Sequence, residues 1–492
     1  MTDLPALVQP PEINDRWVFF GLLAILVWAP LPLGSNRYWA VGVLILATVV
    51  LLIGMAVVWR KNTEQALQRI ALFRWPLSLL AGMVALTWLQ SLELPAGWIS
   101  ILSPHAAAVQ SPAEWMTLSL DVYQSRYMAS LSFTYFSIFL IAVLTVRQSQ
   151  RLSRLAQVLV WSGVMQAVLG VVLFSVKAEY RIFYVTVSHA RMIGSYVYHN
   201  SLAGYLCMTL SIGIGLMLAR LGTQQVQYAN WKARLVASIE FILSPKMRLR
   251  MLLIVMVIAL VLTRSRMGNT AFFSAMLVVG GLAIVLVRKT APQTMMLIAS
   301  LVIIDIFVVG TWVGLERVVE RIQDTEMMVA DGGKSESVEA RTETARTALA
   351  IVQDFPLAGT GGGSFYSVFM GYLTPLSNNA YWDHTHNDYV EIASDFGLLG
   401  LGILGLLVAS TLWTVIRVMA KRKSSLPWGM AFGVAMSVVA LLIHSAVDFN
   451  MQIPANALTF VTVLAMGWIA QALPSRGKRR RTTSHRENNE LA

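Results

Sequence analysis

His384-Thr385-His386-Asn387-Asp388-Tyr389-Val390-Glu391 runs directly into Ile392-Ala393-Ser394-Asp395-Phe396-Gly397-Leu398-Leu399-Gly400, and from there into an uncharged segment that lasts to Ile416. Two histidines, an amide and several carboxylates therefore stand at the mouth of a hydrophobic run long enough to cross a bilayer. Ionisable groups are costly to hold at such a place, and groups held at that cost usually act on something that arrives through the membrane. The chain before them, back to about Gly314, is polar, with twelve acidic and five basic residues across 314–392.

The rest of the sequence explains why this polar stretch is exceptional. Of 492 residues, 56% are hydrophobic and only 13% are charged, against about 25% charged in a soluble domain. Twelve apolar segments can be read, with cores near 17–33, 38–58, 75–93, 128–146, 155–176, 200–219, 249–263, 269–287, 292–313, 393–416, 428–447 and 456–473. Their lengths suit helices crossing a ~30 Å hydrocarbon core. Strand-like alternation is absent, which argues against a membrane barrel. The first run follows three acids and one arginine and lacks a small-residue cleavage site, so it is expected to stay as a membrane helix. The fold class expected is all-α, a polytopic membrane protein.

Placing the segments on alternating sides tests this reading. With the N-terminus inside, 26 of the 38 basic residues fall on the inner segments and 12 on the outer ones, the asymmetry expected when both termini are cytoplasmic. The net charge of +12 thus belongs to membrane-flanking segments, including the tail Arg476-Gly477-Lys478-Arg479-Arg480-Arg481, and not to a nucleic-acid surface. The inner segment around Trp231–Phe241 reads as a short amphipathic helix on the membrane. The single cysteine, Cys207, lies within an apolar run and reads as a small buried side chain.

The outer segments carry the candidate chemistry. Loop 94–126 has three prolines with Trp98, Trp115 and Tyr123, and should lie along the interface. Within 314–392 a helix is expected from Ser337 to Asp354, on the spacing of Ala345, Ala348, Leu349 and Val352, ended by Phe355-Pro356. Gly359-Thr360-Gly361-Gly362-Gly363-Ser364-Phe365 lacks the ending of a phosphate loop. It reads equally as backbone that approaches a ligand or as a turn tucked under the loop helix.

Arg191, Arg264, Arg266 and Arg341 sit at helix ends on the side where basic residues are scarce. Each could merely snorkel, yet guanidinium groups match diphosphate geometry well. His189, His199, His384 and His386 lie on the same side. His384 and His386 lack the His-Glu-x-x-His spacing of a metal site, so no metal is assigned, and a neutral imidazole that takes a proton from a sugar hydroxyl fits better. His386 is ranked first, because Asn387 beside it could fix its ring and a helix begins just after; Glu391 supports. His444 and Asp448 are i,i+4 and could form a polar pair at the outer end of their segment. Asp305 lies within the ninth segment.

Taken together, Arg191 to Leu206, Thr263-Arg264-Ser265-Arg266-Met267-Gly268, Arg341, Asp354 to Phe365, His386 to Gly402, Pro30 to Trp39 and His444 to Asn456 resemble the motifs of the O-antigen ligase and Wzy-type polysaccharide polymerase superfamily of bacterial inner membranes, in the right order over essentially the whole chain. The resemblance implies about 12 transmembrane helices: nine within 1–313, a large periplasmic loop at 314–392 in a domain core of about 190–410, three within 393–473, and a basic cytoplasmic tail at 474–492. It implies inverting transfer of a glycan from undecaprenyl diphosphate to a glycan or lipid-linked acceptor, without nucleotide sugar, metal or other cofactor. Arg191 and Arg266 would bind the diphosphate and His386 would activate the acceptor. Arg341 is a further motif arginine, and Asn387, Glu391 and Asp448 are supporting residues. His384 and Arg264 are additions to the pattern that leave the base and the second arginine open. A multi-pass transporter or flippase of lipid-linked glycan is the alternative. It would be expected to show inverted repeats and more charge at mid-membrane.

Overall fold

In the computed structural model the described residues are 13–176, 180–182, 185–187, 191–220, 244–286, 338–373 and 382–474. The ninth apolar segment with Asp305, the 231–241 stretch, His189, the first part of the 314–392 loop and the basic tail lie outside them. The other eleven apolar segments are helices, and the chain is an all-α polytopic membrane protein.

The membrane helices are α1 (Arg16–Trp28), α2 (Tyr38–Trp59), α3 (Thr63–Leu72) with α4 (Arg74–Gln90), α7 (Val122–Thr145), α8 (Ser149–Val176), α9 (His199–Arg220), α10 (Pro245–Leu262), α11 (Arg266–Leu286), α14 (Asp388–Lys421), α15 (Ser425–Ser445) and α16 (Pro454–Ala472). Between them lie the short helices α5 (Ala96–Leu102) and α6 (Pro104–Val109), then α12 (Val338–Asp354) and α13 (Phe365–Phe369). Among the described residues eight are long and apolar enough to span a membrane, or nine if the pair α3–α4, bent by 88°, is one span. Helix α1 is shorter, at 13 residues. Helix α10 begins among Lys246, Arg248 and Arg250, which suits an end at a headgroup layer. The amphipathic α3 was not expected from the sequence. Among the described residues strand structure is limited to a two-residue pairing of Leu94–Pro95 with Trp115–Met116 and a hairpin of Tyr180–Ile182 with Val185–Val187.

The centre of the bundle is the antiparallel pair α9–α15. Helix α9 is buried from His199 through Leu218. Its backbone touches that of α15: a Cβ on Gly215 would stand 2.3 Å from the Gly429 carbonyl oxygen and 2.9 Å from the Gly433 backbone. Lipid tails are as apolar as leucine, so membrane helices gain by such close backbone approach, which only small residues permit. At the far end of the bundle Asp15, fully buried, accepts Arg147 at 2.9 Å and Arg151 at 2.6 Å, tying α1 to the α7–α8 connection.

The opposite end carries a second core outside the spanning helices, made by Ile99, Ala106, Met116, Leu118, Ala348, Ile351, Phe355, Phe365 and Phe369. It joins the 94–120 segment to α12 and α13. Trp98, Trp115 and Tyr123 stay exposed around it. Helix α12 runs almost as the sequence suggests, but its buried face is Thr344, Ala348 and Ile351, while Leu349 is exposed.

The glycine turn closes onto this end, held by α4 and α14 and not by the loop helix. Gly363 and Phe365 donate their amides to the Asp395 carboxylate at 2.7 and 3.0 Å, and Gly362 donates to Gln90 Oε1 at 3.1 Å. Gln90 in turn donates to the carbonyls of Ala358 and Asp395. Helix α14 is interrupted at Gly397 (φ 66°, ψ −177°), and the amides of Leu398 and Leu399 reach the carbonyls of Pro356 and Leu357. The break divides α14 into a short piece bearing Asp388, Glu391 and Asp395 and a long apolar piece.

Candidate active site

Asn387 sets the start of α14. Its Oδ1 accepts the Tyr389 and Val390 amides at 3.0 and 3.2 Å, and its Nδ2 donates to the Ala446 carbonyl at 3.0 Å. This is an N-cap satisfying otherwise orphaned amides. The expected role of Asn387, fixing the His386 ring, is therefore not what its side chain does.

One turn into the helix, Glu391 is 2% exposed. It accepts the Thr385 amide at 2.9 Å and pairs with His384 Nδ1 at 2.7 Å. His384 retains 27% side-chain exposure. Burial works against its protonation, but the carboxylate of Glu391, its hydrogen bond, and the charges of Asp383 and Asp388 outweigh this and hold the imidazole pKa above its ordinary value of 6.5. Thr385 Oγ1 donates to the Asn387 carbonyl at 2.7 Å, which closes the loop around the pair.

His386 is 6% exposed and sits edge-on to Trp382 and to Phe449, at 5.7 and 4.9 Å between ring centres. Its backbone is left-handed, φ 54°, uncommon for a residue with a side chain. Such strain persists only where the surroundings enforce it, and it concentrates at functional sites.

Phe449, which the sequence reading quoted within a motif but gave no role, links the parts. It stacks on His384 at 4.3 Å and on Tyr198 at 5.4 Å as well as meeting His386. The Tyr198 hydroxyl accepts Arg341 Nη2 at 2.7 Å and Asn200 Nδ2 at 3.1 Å. Next to it, His199 Nε2 accepts Arg191 Nη1 at 2.6 Å. Arg191, Arg341, His384 and His386 thus belong to one connected set of side chains, with Tyr198, His199 and Phe449 as the connectors; the sequence had singled out His199 among the outer histidines but gave none of the three this role.

Arg264 and Arg266 are exposed and, among the described residues, their side chains make no hydrogen bond or ion pair. Their turn is at the same level as His199, because Gly268 packs on Ala203, one turn into α9. Arg264 takes a left-handed backbone, φ 55°. His444 and Asp448 are both buried and 3.8 Å apart. Helix α15 ends at Ser445, so Asp448 reaches this position from beyond the helix and not along its face. Asp388 accepts the Met451 amide at 3.1 Å and donates its own amide to the Asp448 carbonyl at 3.2 Å, stitching the starts of α14 and α16 together.

Residues 251–405, from within α10 to the apolar half of α14, match the family model described as O-antigen ligase. That stretch is similar to the ligase domain of the superfamily. The ligase domain includes Arg264, Arg266, Arg341, His384, His386 and Glu391, while Arg191, Tyr198, His199, Phe449 and Asp448 come to it from outside the matched stretch. The match supports a role in ligation or polymerisation of surface polysaccharide. No curated protein matches the chain significantly.

Proposed function

We propose that the chain transfers a glycan from undecaprenyl diphosphate to a sugar hydroxyl, with inversion, at the membrane face that carries His384. The observation that supports this most directly is the His384–Glu391 pair, joined through Phe449, Tyr198 and His199 to Arg341 and Arg191 at one end of an apolar bundle. A neutral His384 that donates Nδ1–H to Glu391 has its lone pair on Nε2, so it can take a proton. The sequence ranked His386 first; the carboxylate partner and the greater exposure favour His384 as the proton acceptor, with His386 and Phe449 as walls that position the acceptor sugar.

The step balances as a displacement. Nε2 of His384 takes the hydroxyl proton while the acceptor oxygen forms a bond to the anomeric carbon. The bond from that carbon to the diphosphate oxygen breaks on the opposite face, which inverts the centre. Undecaprenyl diphosphate leaves with the electron pair. It is a stable anion, so stabilising its charge matters more than protonating it. Arg191 and Arg266 serve that role, with Arg264 and Arg341 nearby; planar guanidinium groups bind phosphate oxygens in pairs. The same reading has the chain in the bacterial inner membrane with both termini cytoplasmic and the 314–392 loop periplasmic, supported by the basic-residue asymmetry.

The test is transfer from purified lipid-linked glycan by the detergent-solubilised protein. His384→Ala should lower the rate by about 10²–10⁴-fold with the protein still folded. Full activity of His384→Ala with loss in His386→Ala would return the base role to His386. Loss in neither would reject the site.

A further inference from the structure

Three guanidinium groups share one carboxylate at the end of the bundle away from the histidines. Asp15 accepts Arg147 and Arg151 there. Arg69, on the amphipathic α3, reaches the C-terminus of α7, where its Nε and Nη2 donate to the carbonyls of Val143 and Val146 at 2.5 and 2.8 Å. Arg151 Nη1 donates to the Thr145 carbonyl at 2.5 Å. Each guanidinium also lies over an aromatic ring: Arg69 over Phe73 at 5.5 Å, Arg147 over Trp59 at 5.2 Å and Arg151 over Phe19 at 5.1 Å from the ring centre.

Capping α7 does not use up the charge or the donors. Asp15 cancels one of three positive charges, and Glu64, the acid on α3, accepts Gln68 instead. Among the described residues no hydrogen bond leaves Arg69 Nη1 or Arg147 Nε and Nη1, and both arginines are half-buried. Burial disfavours the charge on Arg147 even with Asp15 beside it. Trp59, whose ring lies under Arg147, is 5% exposed, and its Nε1–H is buried without an acceptor. Such a donor is costly to leave unmet. A phosphate group answers both needs: guanidinium groups bind its oxygens in pairs, and a further oxygen can take the indole N–H. The setting favours a lipid as its carrier. Helix α3 is bent by 88° from α4, buries none of its residues and exposes Leu67 and Leu72, as a helix lying in a headgroup layer does. Arg16, Arg60, Lys61 and Arg74 are exposed at the same end and would draw anionic headgroups towards it.

We propose that Arg147, Trp59 and Arg69 form a site for the phosphate of an anionic phospholipid, which ties α3 to the α7–α8 connection at the headgroup layer. The site lies at the opposite end of the bundle from His384 and is independent of the glycosyl-transfer reading. The lipid is a resident of the membrane and takes no part in the reaction.

The test uses the full-length protein, delipidated in detergent and titrated with phosphatidylglycerol, phosphatidylcholine or inorganic phosphate, with bound molecules counted by native mass spectrometry. Phosphatidylcholine carries the same phosphate without net charge. Phosphatidylglycerol should bind about tenfold or more tightly than phosphatidylcholine. Trp59→Phe keeps the ring and removes only the N–H; it and Arg147→Gln should each weaken phosphatidylglycerol at one site by about tenfold. The difference between Trp59→Phe and the unaltered protein separates this site from the arginines at the histidine end, and it carries the test if Arg147→Gln does not fold. Arg60→Gln, which removes an exposed charge beside the site, should have little effect. No loss in Trp59→Phe, or an equal loss in Arg60→Gln, would mean diffuse attraction and overturn the site. So would equal affinity for the two lipids. Inorganic phosphate that binds as tightly as phosphatidylglycerol would give the arginines to a soluble phosphate compound and overturn the lipid.

Discussion

Replacing Glu391 with glutamine isolates the carboxylate from the shape it occupies. The side chain is buried, accepts the Thr385 amide at 2.9 Å, and faces His384 Nδ1 at 2.7 Å. Glutamine keeps the shape and one acceptor oxygen; with that oxygen on the Thr385 amide its NH2 faces His384 Nδ1, so the loop should hold its fold, while the charge and the acceptor facing the imidazole disappear. A hydrogen bond to a charged group is worth about 1.5–3 kcal/mol, and each 1.36 kcal/mol is about tenfold in rate. Where the carboxylate stabilises the imidazolium formed as the hydroxyl proton is taken, kcat should fall by about 10- to 150-fold. The pH profile should move as well. The native His384 pKa lies above 6.5, chiefly because of Glu391 acting against burial, so the acid limb of activity lies above 6.5 and should shift to lower pH in Glu391→Gln. The assay is initial-rate transfer from lipid-linked glycan across pH 5 to 9 (about the stable range of most folded proteins), at matched folded protein. A rate within about twofold of the unaltered enzyme, with an unmoved acid limb, would refute the dyad.

Other outcomes follow from the same structure. The raised His384 pKa contributes stability that is fully present below the unfolded-state value near 6.5 and is lost as pH rises through the folded value, so the melting temperature should decline above pH 6.5 and Glu391→Gln should flatten that decline. Arg191→Lys and Arg266→Lys should each impair glycan output nearly as much as alanine, because the charge survives but the planar fork does not; normal output from both alanine variants would remove the diphosphate assignment. Gly397→Ala would set a Cβ 2.1 Å from the Leu357 carbonyl oxygen at a backbone geometry reserved for glycine, and should cost about 2–4 kcal/mol by thermal melting in detergent. Asp15→Asn leaves Arg147 and Arg151 without their buried counter-ion and should cost about 3 kcal/mol by the same measurement. A cysteine at Ser335 should react with an impermeant reagent in intact spheroplasts, since the loop is read as periplasmic.

The helices were legible because their signals are local. Each apolar run reports its own span, and Phe355-Pro356 stops α12 where the sequence said it would. The site was legible as residue types at helix ends but not as partnerships. His384 and Glu391 are seven apart and meet only because the chain folds back over the helix start at Asn387, so proximity to the helix favoured His386 instead. Gln90 holds Gly362 across 272 residues, and no local pattern distinguishes that from a glycine turn waiting for a ligand. Tyr198 and Phe449 look like ordinary membrane-flanking aromatics; their stacking depends on two loops from distant segments meeting. The break at Gly397 hid because a glycine in a hydrophobic run is common in membrane helices.

The contact between α9 and α15 has a mechanical meaning. Where backbone meets backbone at Gly215, Gly429 and Gly433, no rotamers lie between the helices to absorb sliding. The two helices act as one strut. At its end it carries His199, the acceptor of Arg191, and His444, and it leads within a few residues to Phe449. The spacing between the cationic side of the site and its aromatic centre is thus fixed by main-chain atoms. Any rearrangement that opens or closes the site has to leave this contact in place, so it falls to parts of the molecule other than this strut.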